Sequence, residues 1–343
     1  SAASIRQQYS TAINIDISLF GIAFLRAAPE LLAVEGEKPD LGLKEGGYLF
    51  LASPDGRAAL EAGHALQRQH GADIAFLEPQ ALASRFPWLN LNGIAAGTLG
   101  LSGEGWFDGW GLVQALRRKA RSLGVEYRAE RAEAIMTEAG RVTGVRLQDG
   151  TVIAAPVVVN AAGAGGRALA ATAGPDLPIA MKKRMIFTFA AQNPPEDLPL
   201  LIDPSGLYVR PEGKGFLCGL APPPDDDPDS DDFEVDHVFF EEAIWPRLAD
   251  RIPAFERIRP GRAWAGHYDM NAFDQNAFVG AVEGCAGLLL ANGFSGHGLQ
   301  QAPAVGRGLA ELIVHGRFVS LDLSPLAFAR LARNAPLREL KVV

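Results

Sequence analysis

Apolar residues recur at helical spacing through residues 9–34. Ile13, Ile17, Phe20, Phe24 and Leu25 fall on one face and Pro29 stands near the end, which predicts a helix. Residues 47–52 (GYLFLA) are an apolar run between Gly46-Gly47 and Pro54-Asp-Gly and predict a strand. Helical spacing returns at 57–70, and 94–100 (IAAGTLG) predicts a second strand. Residues 108–123 predict a helix: Asp108 can cap its start, Arg117, Arg118 and Lys119 suit its last turns, and Gly124 follows.

A strand-rich block comes next. Residues 125–128, 132–137 and 142–147 read as strands, and the Asp149-Gly150 pair turns the chain into a further strand at 151–154. Residues 157–166 (VVVNAAGAGG) predict a buried strand running into a small-residue turn, with a helix to Ala173. Residues 181–221 alternate, with a hairpin around Glu212-Gly213. A helix is expected at 239–248, strands at 262–268, 277–282 and 288–291, and a helix at 302–315. Nucleotide-domain-like pieces thus alternate with an antiparallel, strand-rich module. We expect an α/β (α+β mixed) chain of two interleaved domains, one from residues 1–40, 101–180 and 284–343, the other from 41–100 and 181–283.

Composition narrows the function classes. The 343 residues are 48% hydrophobic and 21% charged, as in an ordinary globular protein. A net charge of −8 argues against general nucleic-acid binding. The two cysteines, Cys218 and Cys285, form no CxxC pair, so neither a disulfide framework nor a metal site is expected, and a reducing, cytoplasmic setting fits. No signal peptide is visible and no run is expected to span a membrane. The Pro/Asp-rich stretch 222–236 reads as a solvated surface loop; an acidic cation site is the alternative, without a calcium-loop spacing.

Two stretches carry candidate chemistry. In 291–306 (ANGFSGHGLQQAPAVG) a strand turns into a helix through several glycines. Glycine lets backbone lie close to a ligand, and a helix start presents unpaired N–H groups. The result is either an anion-binding nest or a packing turn. Residues 159–166 (VNAAGAGG) pose the same choice more weakly.

The stretch GFSGHGLQQAPAVGRGLAELIVHGRF resembles the C-terminal flavin-binding signature of the D-amino-acid-oxidase (DAO) superfamily, and VVVNAAGAGG resembles its second FAD-contacting turn. SAASIRQQYS is similar to the segment just after the family's first strand and loop. WAGHYDMNAFDQNAFVG and FEVDHVFFEEAIWPRLADRIPAFE extend the likeness toward one branch, whose animal relatives are mitochondrial and tied to respiratory-complex assembly.

The resemblance implies a Rossmann-like FAD domain of the DAO type interleaved with an antiparallel substrate domain. The GxGxxG fingerprint and its acidic partner are not in the chain, which opens Ser-Ala-Ala-Ser without Met; we expect them upstream of Ser1. Implied FAD contacts are Ser4, Arg6, Ala132 and Asn160, the turn Ala161, Ala162 and Gly163, and the loop Gly293, Gly296, His297, Gly298, Leu299 and Gln300. Implied catalytic or substrate-carboxylate residues are His297, Tyr268, Arg6, Tyr208, Arg184 and Arg210. His297 is either beside the flavin or a loop histidine bonded to backbone. Gln300 stands where sarcosine oxidases carry a lysine, and Gly266 where some carry a flavin-linked cysteine, so noncovalent FAD is expected. The implied activity is oxidation of the C–N bond of an amino acid or a secondary or N-methylated amine by hydride transfer to flavin. The alternative is an assembly or interaction factor with structural or vestigial FAD. Implied partners are the small amine and a protein electron acceptor or assembly partner.

Overall fold

The computed structural model describes residues 2–340. In chain order the first elements are β1 (Ser4–Ile5), α1 (Ala12–Leu31), β2 (Tyr48–Ala52), α2 (Arg57–Gln69), β3 (Ile74–Leu77), α3 (Pro79–Arg85), β4 (Ala96–Gly100), β5 (Gly105–Trp106) and α4 (Gly109–Ser122). Then come β6 (Ala132–Glu138), β7 (Arg141–Leu147), β8 (Val152–Ala154), β9 (Val158–Asn160), α5 (Gly166–Ala171), β10 (Ile179–Ala191), β11 (Leu200–Ile202), β12 (Tyr208–Glu212) and β13 (Gly215–Gly219). The last part holds α6 (His237–Phe239), a π turn (Phe240–Ile244), α7 (Trp245–Arg251), β14 (Ile258–Asn271), β15 (Phe278–Ala281), β16 (Leu288–Asn292), α8 (Gly298–His315) and α9 (Ala329–Ala332).

Eight strands share one sheet in the order β14-β10-β13-β12-β11-β2-β4-β3, antiparallel throughout except where β11 meets β2. Its long pair, β10 with β14, runs in register from Ile179↔Asn271 to Ala191↔Ile258, with a bulge between Phe187 and Phe189. Phe187, Phe189, Phe216, Phe240 and Phe255 fill the core between this sheet and the helical segment after β13. A second sheet, β15-β16-β9, pairs β9 and β16 in parallel. β15 therefore belongs to this smaller sheet although it lies within 181–283.

Asp108 caps α4 as expected, accepting from the Gly111 amide at 2.9 Å. Three expectations need correction. Residues 125–128 form no strand: they lie exposed, and Tyr127 takes up the guanidinium groups of Arg117 and Arg121 instead of a cross-strand neighbour. The last long helix starts at Gly298 rather than 302, because Gln301 donates to the His297 carbonyl at 3.2 Å and Pro303 is absorbed inside the helix. Finally, α1 is long and apolar enough, by length and composition, to cross a membrane. Half of its most apolar stretch is buried, and Ile13 and Ile17 pack with Val305 and Leu309 of α8.

Candidate active site

β9 and β16 end side by side, and each runs into a turn of small residues at the same edge of the sheet. In open α/β sheets this is where ligands bind. The two turns are tied together: Asn292 Nδ2 donates to Asn160 Oδ1 at 3.4 Å, and Asn160 Nδ2 donates to the Gly166 carbonyl at 2.9 Å.

The second turn is held from below by β14. Asp269 accepts from the Gly293 amide at 2.7 Å through its carboxylate and from the Ser295 amide at 3.2 Å through its carbonyl. Ser295 Oγ accepts from the Asn271 amide at 3.0 Å. This forces left-handed backbone at Gly293 (φ +78°) and Gly296 (φ +93°), and Ser295 itself adopts φ +52°. At Gly296 a Cβ would also collide with the Tyr268 ring, so only glycine lets the loop lie flat on that aromatic. The loop then delivers the start of α8. Among the described residues the amides of Gly298, Leu299 and Gln300 donate to no backbone carbonyl, and no side chain caps the helix. They form the positive end of an eighteen-residue helix.

Beside this helix start, bordered by Leu299 and Gln300, lies a cavity of about 250 Å³. The α8 loop forms one wall with Gly296, His297, Leu299 and Gln300. β1 contributes Ser4 and the following Arg6, and the β10–β14 pair contributes Arg184, Ile186, Trp264 and Tyr268. Tyr48, Leu200, Ile202 and Tyr208 close the far side. The lining is thus apolar and aromatic, with two cations and several hydroxyls, as small-molecule sites commonly are.

Arg6 is buried, and its guanidinium lies over the Tyr9 ring at 4.4 Å and the Phe50 ring at 5.1 Å. Nη2 meets His297 Nε2 at 3.1 Å, and Nη1 donates to the Gln8 carbonyl at 3.4 Å. No carboxylate pairs with it directly among the described residues, although Glu104 and Glu339 act on it through space, so it is a buried cation in the cavity wall without an ion-pair partner. Arginine only donates, so Nε2 of His297 accepts and the imidazole is neutral with its proton on Nδ1. Burial, reinforced by Arg6, lowers the His297 pKa to about 3. That histidine is a poor general base, because its exposed lone pair is already engaged. Burial likewise raises the phenol pKa values of Tyr208 and Tyr268, and raises Tyr48 to about 12, so all three remain hydroxyl donors.

β1 owes its position to Glu104, which is fully buried. Its carboxyl accepts from the amides of Gln7 (2.5 Å) and Gln8 (3.1 Å) and from Gln8 Nε2 (2.7 Å). Burial outweighs these donors and raises the Glu104 pKa to about 7. Gln300 anchors the same segment from the helix side: its Oε1 accepts from the Arg6 amide at 3.0 Å and its Nε2 donates to the Tyr9 hydroxyl at 2.5 Å. Its amide group is thereby spent on the protein.

Of the residues expected from sequence, Ser4, Arg6, Arg184, Tyr208, Tyr268, Gly296, His297, Leu299 and Gln300 meet at this cavity. Arg184 arrives already paired, with Asp227 at 2.7 Å. Arg210 does not line it: its guanidinium clamps the Ala2 carbonyl at 2.7 Å and pairs with Glu212. Gly293 and Gly298 shape the loop without lining the cavity. Asn160, Ala161, Ala162 and Gly163 form the neighbouring turn, and the Ala162 amide donates to Asn160 Oδ1 at 3.2 Å. Ala132 lies at the exposed start of β6, away from the cavity. Tyr48, Trp264, Glu104 and Asp227 were not expected. Tyr48 and Trp264 sit in ordinary strand patterns, and they border a common space only because β2 and β14 belong to one sheet.

The residues present fit the electron-rich edge of a flavin ring. The unsatisfied amides at the start of α8 are free donors of the kind that suits an anion-forming group, and the buried Asn292 Oδ1 at the junction of the two turns has no protein partner. Gly266 borders the cavity with open space where a Cβ would stand.

Comparison with known proteins identifies the family. Residues 1–312 match the family model DAO, described as FAD dependent oxidoreductase. The whole chain is 42% identical, over 376 residues, to FAD-dependent oxidoreductase domain-containing protein 1 of Xenopus laevis, covering 75% of that protein. It is 28% identical to 4-methylaminobutanoate oxidase (formaldehyde-forming) of Paenarthrobacter nicotinovorans, with 81% of this chain matched to 35% of that one. The fold is similar to that of L-proline dehydrogenase from P. horikoshii, with TM-score 0.85, 24% identity, and 98% and 87% of the two chains covered. With the family model spanning most of its length and the site geometry in agreement, the chain belongs to the DAO family of FAD-dependent oxidoreductases.

Proposed function

We propose that this oxidoreductase removes hydride from the carbon next to nitrogen in an amino acid or a secondary or N-methylated amine. The observation that carries this reading is Arg6, a buried cation in the wall of a largely apolar and aromatic cavity, with no ion-pair partner among the described residues. A substrate carboxylate would complete its charge and gain a charge-assisted hydrogen bond. The hydroxyls of Tyr208 and Tyr268, kept protonated by burial, orient the same group. Ile186, Leu200 and Ile202 exclude water and favour the neutral amine, the form that can lose hydride. FAD, when bound, supplies the hydride acceptor. The amides of Gly298–Gln300 and the α8 dipole are suited to the negative charge that such a reduction builds. His297 keeps Arg6 in place rather than carrying a proton.

We take FAD to be held without a covalent link. Cys218 lies in the core of the large sheet and Cys285 in that of the smaller one, and neither borders the cavity. The related 4-methylaminobutanoate oxidase supports an N-methylated amine among the candidates. One observation favours a second reading, an interaction factor with vestigial turnover: Trp110, Val113 and Leu116 leave one face of α4 apolar and exposed. Anaerobic mixing of the FAD-loaded protein with a panel of amines and amino acids separates the two. Bleaching of the visible flavin band by any of them supports the enzyme; bleaching by none supports the interaction factor.

A further inference from the structure

The acidic stretch 222–236 is not a free surface loop. Lys182, Lys183 and Arg184, consecutive on β10, each hold one of its acids. Lys182 pairs with Asp229 at 2.9 Å, Lys183 with Asp232 at 2.7 Å and Arg184 with Asp227 at 2.7 Å. Backbone contacts reinforce them: the Ser230 amide donates to the Met181 carbonyl at 3.0 Å, and Lys182 also donates to the Asp227 carbonyl. His267 contacts the Asp232 carbonyl at 2.8 Å.

Of the three pairs, only Arg184–Asp227 has its basic member in the cavity wall. The pairing is two-pronged, Nη1 to Oδ1 at 2.7 Å and Nη2 to Oδ2 at 2.8 Å, and Nη1 also donates to the Lys183 carbonyl at 2.8 Å. Both side chains are 14% exposed. An arginine fork engaged this way by a carboxylate, in a partly dehydrated setting, has little left to offer another anion. Arg6, the other cation in the wall, has no carboxylate fork of this kind. The cavity therefore holds two cations of unequal availability.

We propose that Asp227 is a specificity-determining residue: by occupying Arg184 it confines anion recognition to Arg6, so the cavity selects an amine with one carboxylate and disfavours one with two. This rests on reading the cavity as an amino-acid site. A second carboxylate would have to displace Asp227 from the fork and leave that acid unpaired in a poorly hydrated place.

Two ligands isolate the effect. N-methylglycine and iminodiacetate share a secondary amine and differ by one carboxylate. Their dissociation constants can be measured by calorimetry on FAD-loaded protein reduced beforehand with dithionite, so that no turnover occurs. In the wild type, N-methylglycine binds more tightly. Asp227→Asn strengthens iminodiacetate binding on the order of tenfold and leaves N-methylglycine within about twofold, the scale of one charge-assisted pair. Asp229→Asn releases Lys182 but leaves Arg184 masked, and changes neither constant. The proposal is overturned if Asp227→Asn moves both ligands equally or neither, or if Asp229→Asn reproduces its effect, which would point to loosening of the loop. If the wild type binds neither ligand, the amino-acid reading of the cavity fails. The mask is then judged on iminodiacetate in Asp227→Asn alone, where binding supports it and no binding overturns it.

Discussion

Replacing Glu104 by Gln tests how β1 is held, and the structure gives the pH signature. Folding raises the Glu104 pKa from an ordinary 4.5 to about 7. The folded state therefore binds more protons than the unfolded chain between those values, and stability falls as pH rises through that window. At about 1.4 kcal/mol per unit the loss is on the order of 3 kcal/mol. His297 acts in the opposite sense. Its pKa is lowered from 6.5 to about 3, the folded state binds fewer protons there, and stability is lost as pH falls from 6.5 toward 3. The two slopes oppose each other between about pH 4.5 and 6.5, so the wild-type profile alone is nearly uninformative. The difference between wild type and Glu104→Gln isolates the glutamate. The glutamine keeps an oxygen for the Gln7 and Gln8 amides but sets an NH₂ against Gln8 Nε2, costing about 1 kcal/mol. In urea denaturation monitored by tryptophan emission, the variant is the less stable protein near pH 5. It gains on the wild type as pH rises and exceeds it by about 2 kcal/mol at pH 8, the loss of about 3 less the cost of about 1. A stability difference independent of pH between 4.5 and 8 would refute the assignment of a raised glutamate pKa.

Other consequences follow from the same geometry. Gly296→Ala places a Cβ against the Tyr268 ring at a φ of +93° and should cost roughly 2–4 kcal/mol of stability by thermal unfolding, with weakened FAD retention. Arg6→Gln should raise KM for an amino-acid substrate at least about tenfold. It should also raise the His297 pKa, seen as a shift in its imidazole NMR titration, because Arg6 is one of the two groups of effects holding that pKa down. Noncovalent binding predicts that denaturant releases the flavin quantitatively into a filtrate; neither Cys218 nor Cys285 borders the cavity to form a thioether link. Retention of colour on the precipitated protein would contradict noncovalent binding.

Much of this was legible in the chain, and the exceptions have physical reasons. Strong periodicity located α1, α2 and α4, and glycine spacing marked the loop before α8. The start of α8 was placed four residues late; the helix already runs through Pro303, whose missing amide is tolerated within the second turn. β3 and β11 are short and draw their stability from neighbouring strands distant in sequence, so no local pattern announces them. At the site, the loop residues could be found because their chemistry is carried by backbone and depends on glycine. Glu104 and Asp227 could not: one looks like any acid in a Gly-rich turn and the other like part of a solvated run. Their roles exist only once the turn before β5 meets residues 7–8 and the loop meets β10. Arg210 illustrates the reverse error, since an arginine on a strand of the right sheet turned to clamp the Ala2 carbonyl instead.

The most direct measurement is a crystal structure of the FAD-loaded, reduced protein soaked with an amino acid. The account predicts the ring edge within hydrogen-bond reach of the amides of Gly298–Gln300, with the ligand carboxylate on Arg6 and Asp227 still on Arg184. A ring lying elsewhere, or a ligand whose carboxylate ignores Arg6, would contradict it.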